Sequence, residues 1–161
     1  MMSNEKILSI GFNEDHRIKC KLTHDPDDQR YLYLTPQDVD LPKRYQEAYD
    51  DIHDKLEELS KLNRNPATDE EARATIDAIY EAGRFIKEKI DYVFGNGVSE
   101  TVFGQVSCLT VDNNTGEYLF EKFLNCMNHV IEEAYGVSVK KVNARISKYT
   151  DSKGSHPALN Q

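Results

Sequence analysis

The fold is decided by residues 91–104, DYVFGNGVSETVFG, where a Phe-Gly pair recurs after nine residues. Glycine often supplies the residue of positive φ that ends a helix, and Asn-Gly is a frequent turn pair. The segment therefore predicts that a long helix ends at Phe94-Gly95 and that the chain turns at Asn96-Gly97. Apolar residues between glycines indicate that the segment forms a turn and packs against the core, rather than taking part in catalysis.

Two amphipathic helices are predicted before this segment. The first begins near Pro42, which suits a first helical turn, and its apolar stripe consists of Tyr45, Tyr49, Ile52, Leu56 and Leu59. Alternating spacings of four and three are typical of a helix that packs along another helix. The second begins at a capping box of Thr68 and Glu71, and its apolar side carries Ala72, Ile76, Ile79, Phe85, Ile86, Ile90, Val93 and Phe94. A polar break at residues 63–67 makes the pair an antiparallel helical hairpin.

Short strands are predicted before the hairpin, at residues 8–12, 16–22 and 30–34. In the second strand, His16, Ile18, Cys20 and Leu22 alternate with Arg17, Lys19 and Lys21, a pattern typical of a half-buried strand. We expect the first two strands to pair as an antiparallel hairpin and the third to follow a turn at residues 25–28. A sheet this small needs a helical layer over its apolar face.

A third long helix is predicted after the Phe-Gly segment. Its apolar residues are Phe120, Phe123, Leu124, Met127, Val130, Ile131 and Ala134. Residues 112–116 predict a turn and helix cap before it, residues 106–112 fit either a loop or a short strand, and Tyr135-Gly136 predicts its end. Beyond it, Val139, Val142, Ile146 and Tyr149 favour a final short helix, although a strand could begin at residue 137.

The predicted fold class is thus α+β, with a small N-terminal antiparallel sheet under a helical hairpin and a third long helix. Residues 1–150 form one domain, divided into a β region (1–35), the hairpin (36–95), and a turn with C-terminal helices (96–150). Residues 151–161 are expected to be a disordered tail.

Charge and composition exclude several function classes. The net charge of −8 argues against a nucleic-acid binder, because phosphate contacts need clustered Lys and Arg. Residues 37–60 carry a balance of −5 and residues 137–153 one of +4. The basic end fits either a solvated helix face or a partner-docking patch. With no bilayer-length apolar run, no secretion signal and no CxxC pair, we expect a cytoplasmic protein with reduced cysteines and no membrane contact.

No arrangement of residues predicts catalysis, a cofactor or a metal. His16 and Cys20 would share a strand face but have no third ligand in register, and the acidic clusters lack the spacing of a calcium loop. We therefore predict that the protein is not an enzyme.

Binding to another protein is the remaining prediction. Its candidate residues are Tyr45, Tyr49, Phe94, Val102, Phe103, Lys140, Lys141 and Arg145. Tyrosine, with an apolar body and a polar tip, suits protein interfaces, although partial burial within the fold would also account for it. Phe94 and Phe103 could equally lock the turn into the core, in which case Phe94→Ala would cost roughly 3–5 kcal/mol of stability.

The order of elements and the Phe-Gly segment resemble tail assembly chaperones, small proteins encoded between the major tail protein and the tape-measure protein in long-tailed phages and prophages of Gram-positive bacteria. The matching signature consists of Ile90, Asp91, Phe94, Gly95, Gly97, Phe103 and Gly104. The resemblance implies binding to the tape-measure and major tail proteins in the bacterial cytoplasm, with no catalytic residues, and in many members an extension by ribosomal frameshifting. The alternatives are a structural virion component, such as a tail adaptor or minor tail protein, and a host-directed regulatory protein. Self-association is left open.

Overall fold

The computed structural model describes residues 17–23, 25–35, 38–62, 65–133 and 136. Its elements are β1 (Ile18–Lys21), β2 (Tyr31–Leu34), α1 (Leu41–Ser60), α2 (Asp69–Phe94), α3 (Val98–Phe103) and α4, which covers residues 119–133. The α+β class, with a small antiparallel sheet, a helical hairpin and a further long helix, is confirmed. The predicted strand at 8–12, residue His16, the final helix with Val139 to Tyr149, and the tail lie outside the described residues, as does the end of α4.

The described sheet consists of β1 and β2 paired antiparallel, with Ile18 opposite Leu34 and Cys20 opposite Leu32. Leu32 and Leu34 are buried, whereas Tyr33 between them is exposed. The predicted turn at residues 25–28 is confirmed, because the amide of Asp28 donates to the carbonyl of Asp25 over 3.2 Å. The alternating side chains of β2 thus supply the edge of the core.

An antiparallel hairpin of α1 and α2 is confirmed by the pairs that cross it. The Tyr92 hydroxyl donates to the Glu47 carboxylate over 2.9 Å. One turn away, Lys89 lies 2.7 Å from Asp51. Because a later residue of α1 pairs with an earlier residue of α2, the two helices run in opposite directions.

The start of α1 is tied to the end of α2 through Arg44. Its guanidinium donates to the Asp38 carboxylate over 2.7 Å and to the carbonyl of Val93 over 3.2 Å. Burial raises the pKa of the Asp38 carboxyl, but hydrogen bonds from Arg44 and from the Asp40 amide lower it by more, so the pKa lies below its usual value. Pro42 lies in the first turn of α1, as predicted.

The capping box that opens α2 differs in one bond from the predicted form. The Thr68 hydroxyl accepts from the Glu71 amide over 3.1 Å, as expected. The Glu71 carboxylate, however, accepts from the amide of Ala67 over 2.8 Å, one residue before the cap. Both exposed amides are still satisfied, so the helix start is stabilised in the expected way.

The apolar side predicted for α2 is only partly buried. Ala82, Gly83, Ile86, Ile90 and Val93 are buried. Ile76 and Ile79, in contrast, are 64% and 44% exposed, so the apolar side of the helix extends beyond its buried part. The reason is geometric, since the N-terminal half of α2 extends beyond the sheet-side core.

Residues 91–104 contain a helix that the sequence did not predict. Gly95 (φ +120°) ends α2 and Gly97 (φ +84°) makes the turn, as expected. The six residues of α3 follow, and the Asp91 carboxylate accepts from the Ser99 amide over 2.8 Å to hold α3 against α2. The Arg30 guanidinium donates to the carbonyl of Val102 over 3.0 Å, which connects the loop before β2 to α3.

Residues 105–118 connect α3 to α4 as a loop with one isolated bridge, between Val111 and Tyr118. The turn at residues 112–116 is confirmed by a 2.8 Å bond from the Gly116 amide to the Asp112 carbonyl. Its predicted role as the helix cap is wrong, because α4 begins at residue 119 and the Glu121 carboxylate accepts from the Tyr118 amide. The buried face of α4 is confirmed for Phe120, Phe123, Leu124, Met127 and Ile131.

Candidate protein-binding groove

An open groove of about 270 Å³ runs between α1 and α4. Its α1 wall consists of Tyr45, Tyr49, Ile52, His53 and Leu56, and its α4 wall of Phe120, Glu121, Leu124 and Asn125. A second, smaller pocket shares several of these residues and is also lined by Ala48, Ile90 and Val93. The groove therefore has an apolar floor that belongs to the core, and two helical walls.

Helical spacing explains why these residues line one opening. Tyr45, Tyr49, Ile52 and Leu56 form the four-three-four row of α1 that the sequence shows. On α4, the lining residues fall at i, i+1, i+4 and i+5, which places them on two adjacent rows of the helix. Ile52, Phe120 and Leu124 also belong to the buried core, so the groove opens directly over it.

Two tyrosines stack at one end of the groove. The rings of Tyr45 and Tyr49 have centroids 6.4 Å apart and an interplanar angle of 27°. Burial raises the pKa of the Tyr45 hydroxyl, and the neighbouring Tyr49 and the negative charge of Glu132 raise it further. The hydroxyl therefore stays protonated at physiological pH and can donate a hydrogen bond to a partner. Tyr49 is 51% exposed, so most of its ring is available for contact.

α1 and α4 are acidic helices, and Glu121 is the acidic residue among those that line the groove. α1 carries six acidic and three basic residues, and residues 119–133 carry three acidic and one basic. His53, which also lines the groove, lies 3.9 Å from Glu57 as an exposed i, i+4 pair. His53, Asp54 and Glu57 could bring three ligand atoms within 4.8 Å of one another, but all three are exposed on one helix face, which is the ordinary arrangement of a solvated acidic surface.

The structure separates the predicted partner-binding residues into three groups. Tyr45 and Tyr49 both line the groove. Phe94 and Phe103 lie in the core, where their rings meet that of Phe123 edge-on with centroids 5.3 Å and 6.1 Å apart. Val102 packs half-buried against the same core. Lys140, Lys141 and Arg145 lie outside the described residues.

The α4 wall was missed by sequence reasoning. Phe120 and Leu124 were predicted only as core residues, and Glu121 and Asn125 were not singled out. The signal was available in the width of the apolar face, because Phe120, Phe123 and Leu124 occupy more than one row of the helix. When the apolar face of a helix is wider than the surface packed against it, one row of apolar side chains remains available for another contact.

A second opening, of about 440 Å³, lies between α2 and the chain around α3. Its lining includes Arg84, Lys87, Ser99 and Glu100, and only Tyr80 contributes a large side chain with apolar surface. This opening lacks an apolar floor, so the groove between α1 and α4 is better suited to a protein segment. Among the described helices, none has the length and apolar character required to cross a membrane.

The model of a family of unknown function, DUF6673, matches residues 31–157. The chain belongs to this family. The match runs from the start of β2 to residue 157, so the family unit contains both walls of the groove and all of the basic segment 137–153. No curated protein and no solved structure matches the chain.

Proposed function

We propose that the protein is a non-enzymatic, chaperone-like binding protein that holds an apolar helical segment of the tape-measure protein during phage tail assembly. The observation that carries the proposal is the groove between α1 and α4. An apolar floor, stacked tyrosines and polar edges are the features by which a groove accepts the apolar face of a helix.

The dimensions of the groove support a helical ligand. From Tyr45 to Leu56 the α1 wall contains twelve residues and extends about 16 Å at the rise of an α-helix. A helix of three turns would cover this length with two or three apolar side chains at i, i+3 and i+7. So short a contact favours reversible binding, which a chaperone needs because its client must later enter the tail.

The assignment to tail assembly comes from the resemblance of the Phe-Gly segment and the order of elements. In the structure, Phe94, Gly95, Gly97 and Phe103 shape the junction of α2 and α3. The signature is therefore a marker of the fold, whereas the groove supports the binding. The major tail protein would be a second partner, met in the bacterial cytoplasm.

The proposal can be tested by co-expression with the tape-measure protein, scored by the amount of that protein that becomes soluble and co-purifies. We expect a soluble, stoichiometric complex with the wild-type chain. Tyr49→Lys, which places a charge in the groove, should abolish it. Tyr80→Lys is the matched control, because Tyr80 is an exposed tyrosine on α2 that does not line the groove.

Two results would contradict the proposal. One is a tape-measure protein that stays insoluble with the wild-type chain. The other is a complex that is equally stable with Tyr49→Lys. If the protein is found instead in purified, mature particles, it is a structural virion component such as a tail adaptor or minor tail protein.

A further inference from the structure

One side of α2 carries a regularly spaced row of six residues, which we call the α2 seam. Its members follow one another at spacings of four, three, four, three and four: Asp69, Arg73, Ile76, Tyr80, Gly83 and Lys87. A mean period of 3.5 residues is typical of a helix that packs along another helix. We propose that the α2 seam is the interface of a dimer in which the α2 helices of two copies of this chain pack antiparallel.

The α2 seam differs from the side of α2 that packs within the chain. Ala82 and Ile86 are buried, and Ala78 lines the pocket between α2 and α1. At the centre of the α2 seam, in contrast, Ile76 and Tyr80 are each 64% exposed. Because they are four residues apart, their side chains are neighbours on the helix surface. Covering this pair of apolar side chains would remove them from water and favour association.

Twofold symmetry makes the α2 seam complementary to itself. An antiparallel pair centred on residue 78 brings together positions that lie equally far from residue 78 on opposite sides. Ile76 then meets Tyr80 of the second copy, and Tyr80 meets Ile76, as the interface of a twofold dimer requires. Asp69 meets Lys87 at both ends, which pairs opposite charges. A parallel pair would place each charge against its own kind, so the charges select the antiparallel arrangement.

The remaining pair of the α2 seam matches a long side chain with a residue that has none. Arg73 meets Gly83, which lines the opening of about 440 Å³ between α2 and the chain around α3. Glu100 lines the same opening and offers a carboxylate to a guanidinium that enters it. The opening has a polar lining, so it suits the charged first turns of α2 from a second copy better than an apolar segment.

The composition of the α2 seam indicates a reversible dimer. From Asp69 to Lys87 the interface would extend about 27 Å, but its apolar part consists of two side chains from each copy. A contact with so small an apolar centre is typical of a weak complex, so we expect the chain to be monomeric on dilution. None of the six residues is among those that line the groove between α1 and α4, so each copy keeps its own groove accessible.

Sedimentation velocity of the full-length chain at increasing concentration tests the inference. We expect the wild type to pass from monomer to dimer. Ile76→Lys should raise the dissociation constant by roughly 100-fold, because each dimer loses two apolar contacts. Val39→Lys is the matched control, since Val39 is also an exposed β-branched residue, 47% exposed, but lies outside α2. It should leave the dissociation constant unchanged.

Complementary charge variants test the register of the two helices. Asp69→Lys places a lysine against Lys87 of the second copy, and Lys87→Asp places an aspartate against Asp69. Each variant alone should remain monomeric at a concentration where the wild type is dimeric. An equal mixture of the two should form a dimer again, because opposite charges then meet at both ends. Far-ultraviolet circular dichroism checks that each variant keeps its helices.

Three results would overturn the inference. The first is a wild-type chain that stays monomeric at every concentration, which would assign Ile76 and Tyr80 to the surface for a different protein. The second is a dimer that Ile76→Lys does not weaken. The third is a mixture of folded Asp69→Lys and Lys87→Asp chains that stays monomeric.

The dimer and the proposed function can fail separately. Tyr80→Lys should abolish the dimer and retain the tape-measure complex, whereas Tyr49→Lys should abolish the complex and retain the dimer. Sedimentation needs no tape-measure protein, so a dimer without a tape-measure complex would keep this inference and remove the proposed function. A tape-measure complex formed by a chain that never dimerises would do the reverse.

Discussion

At the scale of single residues, Cys108 has the most constrained environment. Its side chain is fully buried, and its thiol donates to the carbonyl of Gly83 over 3.4 Å. Burial raises the pKa of this thiol to about 11. Because the folded-state pKa lies above its usual value of 9.0, the neutral thiol stabilises the fold below about pH 9. That contribution is lost as the pH rises towards 11.

Replacement of this thiol should reveal the pH dependence. We expect Cys108→Ala to lower the free energy of unfolding by about 1 kcal/mol at pH 7, since a buried sulfur and its hydrogen bond are lost. The difference from the wild type should shrink between pH 9 and pH 11. Urea denaturation at several pH values measures it, with Cys126→Ala, at an exposed site, as the control. A difference that is constant with pH would contradict the role of the thiol.

A second prediction concerns the contribution of the two Phe-Gly phenylalanines to stability. Phe103 is buried and meets Phe123 edge-on, so Phe103→Ala should cost about 3–5 kcal/mol. Phe94 is only half-buried, so Phe94→Ala should cost less, about 3 kcal/mol. Guanidinium denaturation measures both. If both variants kept wild-type stability but lost the tape-measure complex, the two rings would belong to an interface and not to the core.

At the scale of elements, the junction of α2 and α3 depends on the backbone of Gly97. This residue has φ of +84°, a conformation that costs other residues about 1–2 kcal/mol. In contrast, Gly83 is helical, and a Cβ there would meet the Ser107 hydroxyl oxygen at 3.4 Å, an ordinary contact. The same substitution should therefore act in opposite directions at these two glycines.

We expect Gly97→Ala to lower the melting temperature by several degrees, because about 1–2 kcal/mol is lost. Gly83→Ala should leave it unchanged or raise it, since alanine favours the helix by up to about 1 kcal/mol. Differential scanning calorimetry measures both. A loss at Gly83 as large as that at Gly97 would show that the packing of Gly83, and not backbone conformation, governs this region.

Element positions were predictable from the sequence where a period extended over several turns, as in α1, α2 and α4. The glycines of residues 91–104 were also correctly placed, but α3 was missed because six residues are too few to show a helical period. Ile76 and Ile79 are exposed although they share the apolar side, because a period gives the apolar side of a helix and not the extent of the core. The groove was half-predicted through Tyr45 and Tyr49. Its α4 wall could not be predicted, because a local sequence pattern does not show which helices pack next to each other.

At the scale of the whole molecule, charge is separated along the chain, with −5 on residues 37–60 and +4 on residues 137–153, within a net charge of −8. Lys140→Glu with Lys141→Glu makes the net charge more negative, so the added self-repulsion should lower the free energy of unfolding at low ionic strength. The difference from the wild type should fade in about 1 M salt, where the screening length falls to about 3 Å.

Urea denaturation at low and high salt measures this difference. A matched control is Lys43→Glu with Lys61→Glu, which reverses two exposed lysines of the hairpin. We expect an equal salt dependence in both double variants, because each changes the net charge by the same amount. A loss of stability in only one of them would contradict the role of total charge.

The exposed first half of α2 has a consequence for how the molecule opens. Ile76 and Tyr80 are both 64% exposed, and the buried residues of α2 begin only at Ala82. Near the tip of the hairpin, the capping box stabilises the start of α2, and Leu59, Leu62 and Ala78 line an open pocket between the helices. Amide hydrogens before Ala82 should exchange with solvent through local openings of low free energy, whereas those from Ile86 onward should exchange only on global unfolding. One continuous helix would then contain two cooperative units with very different lifetimes.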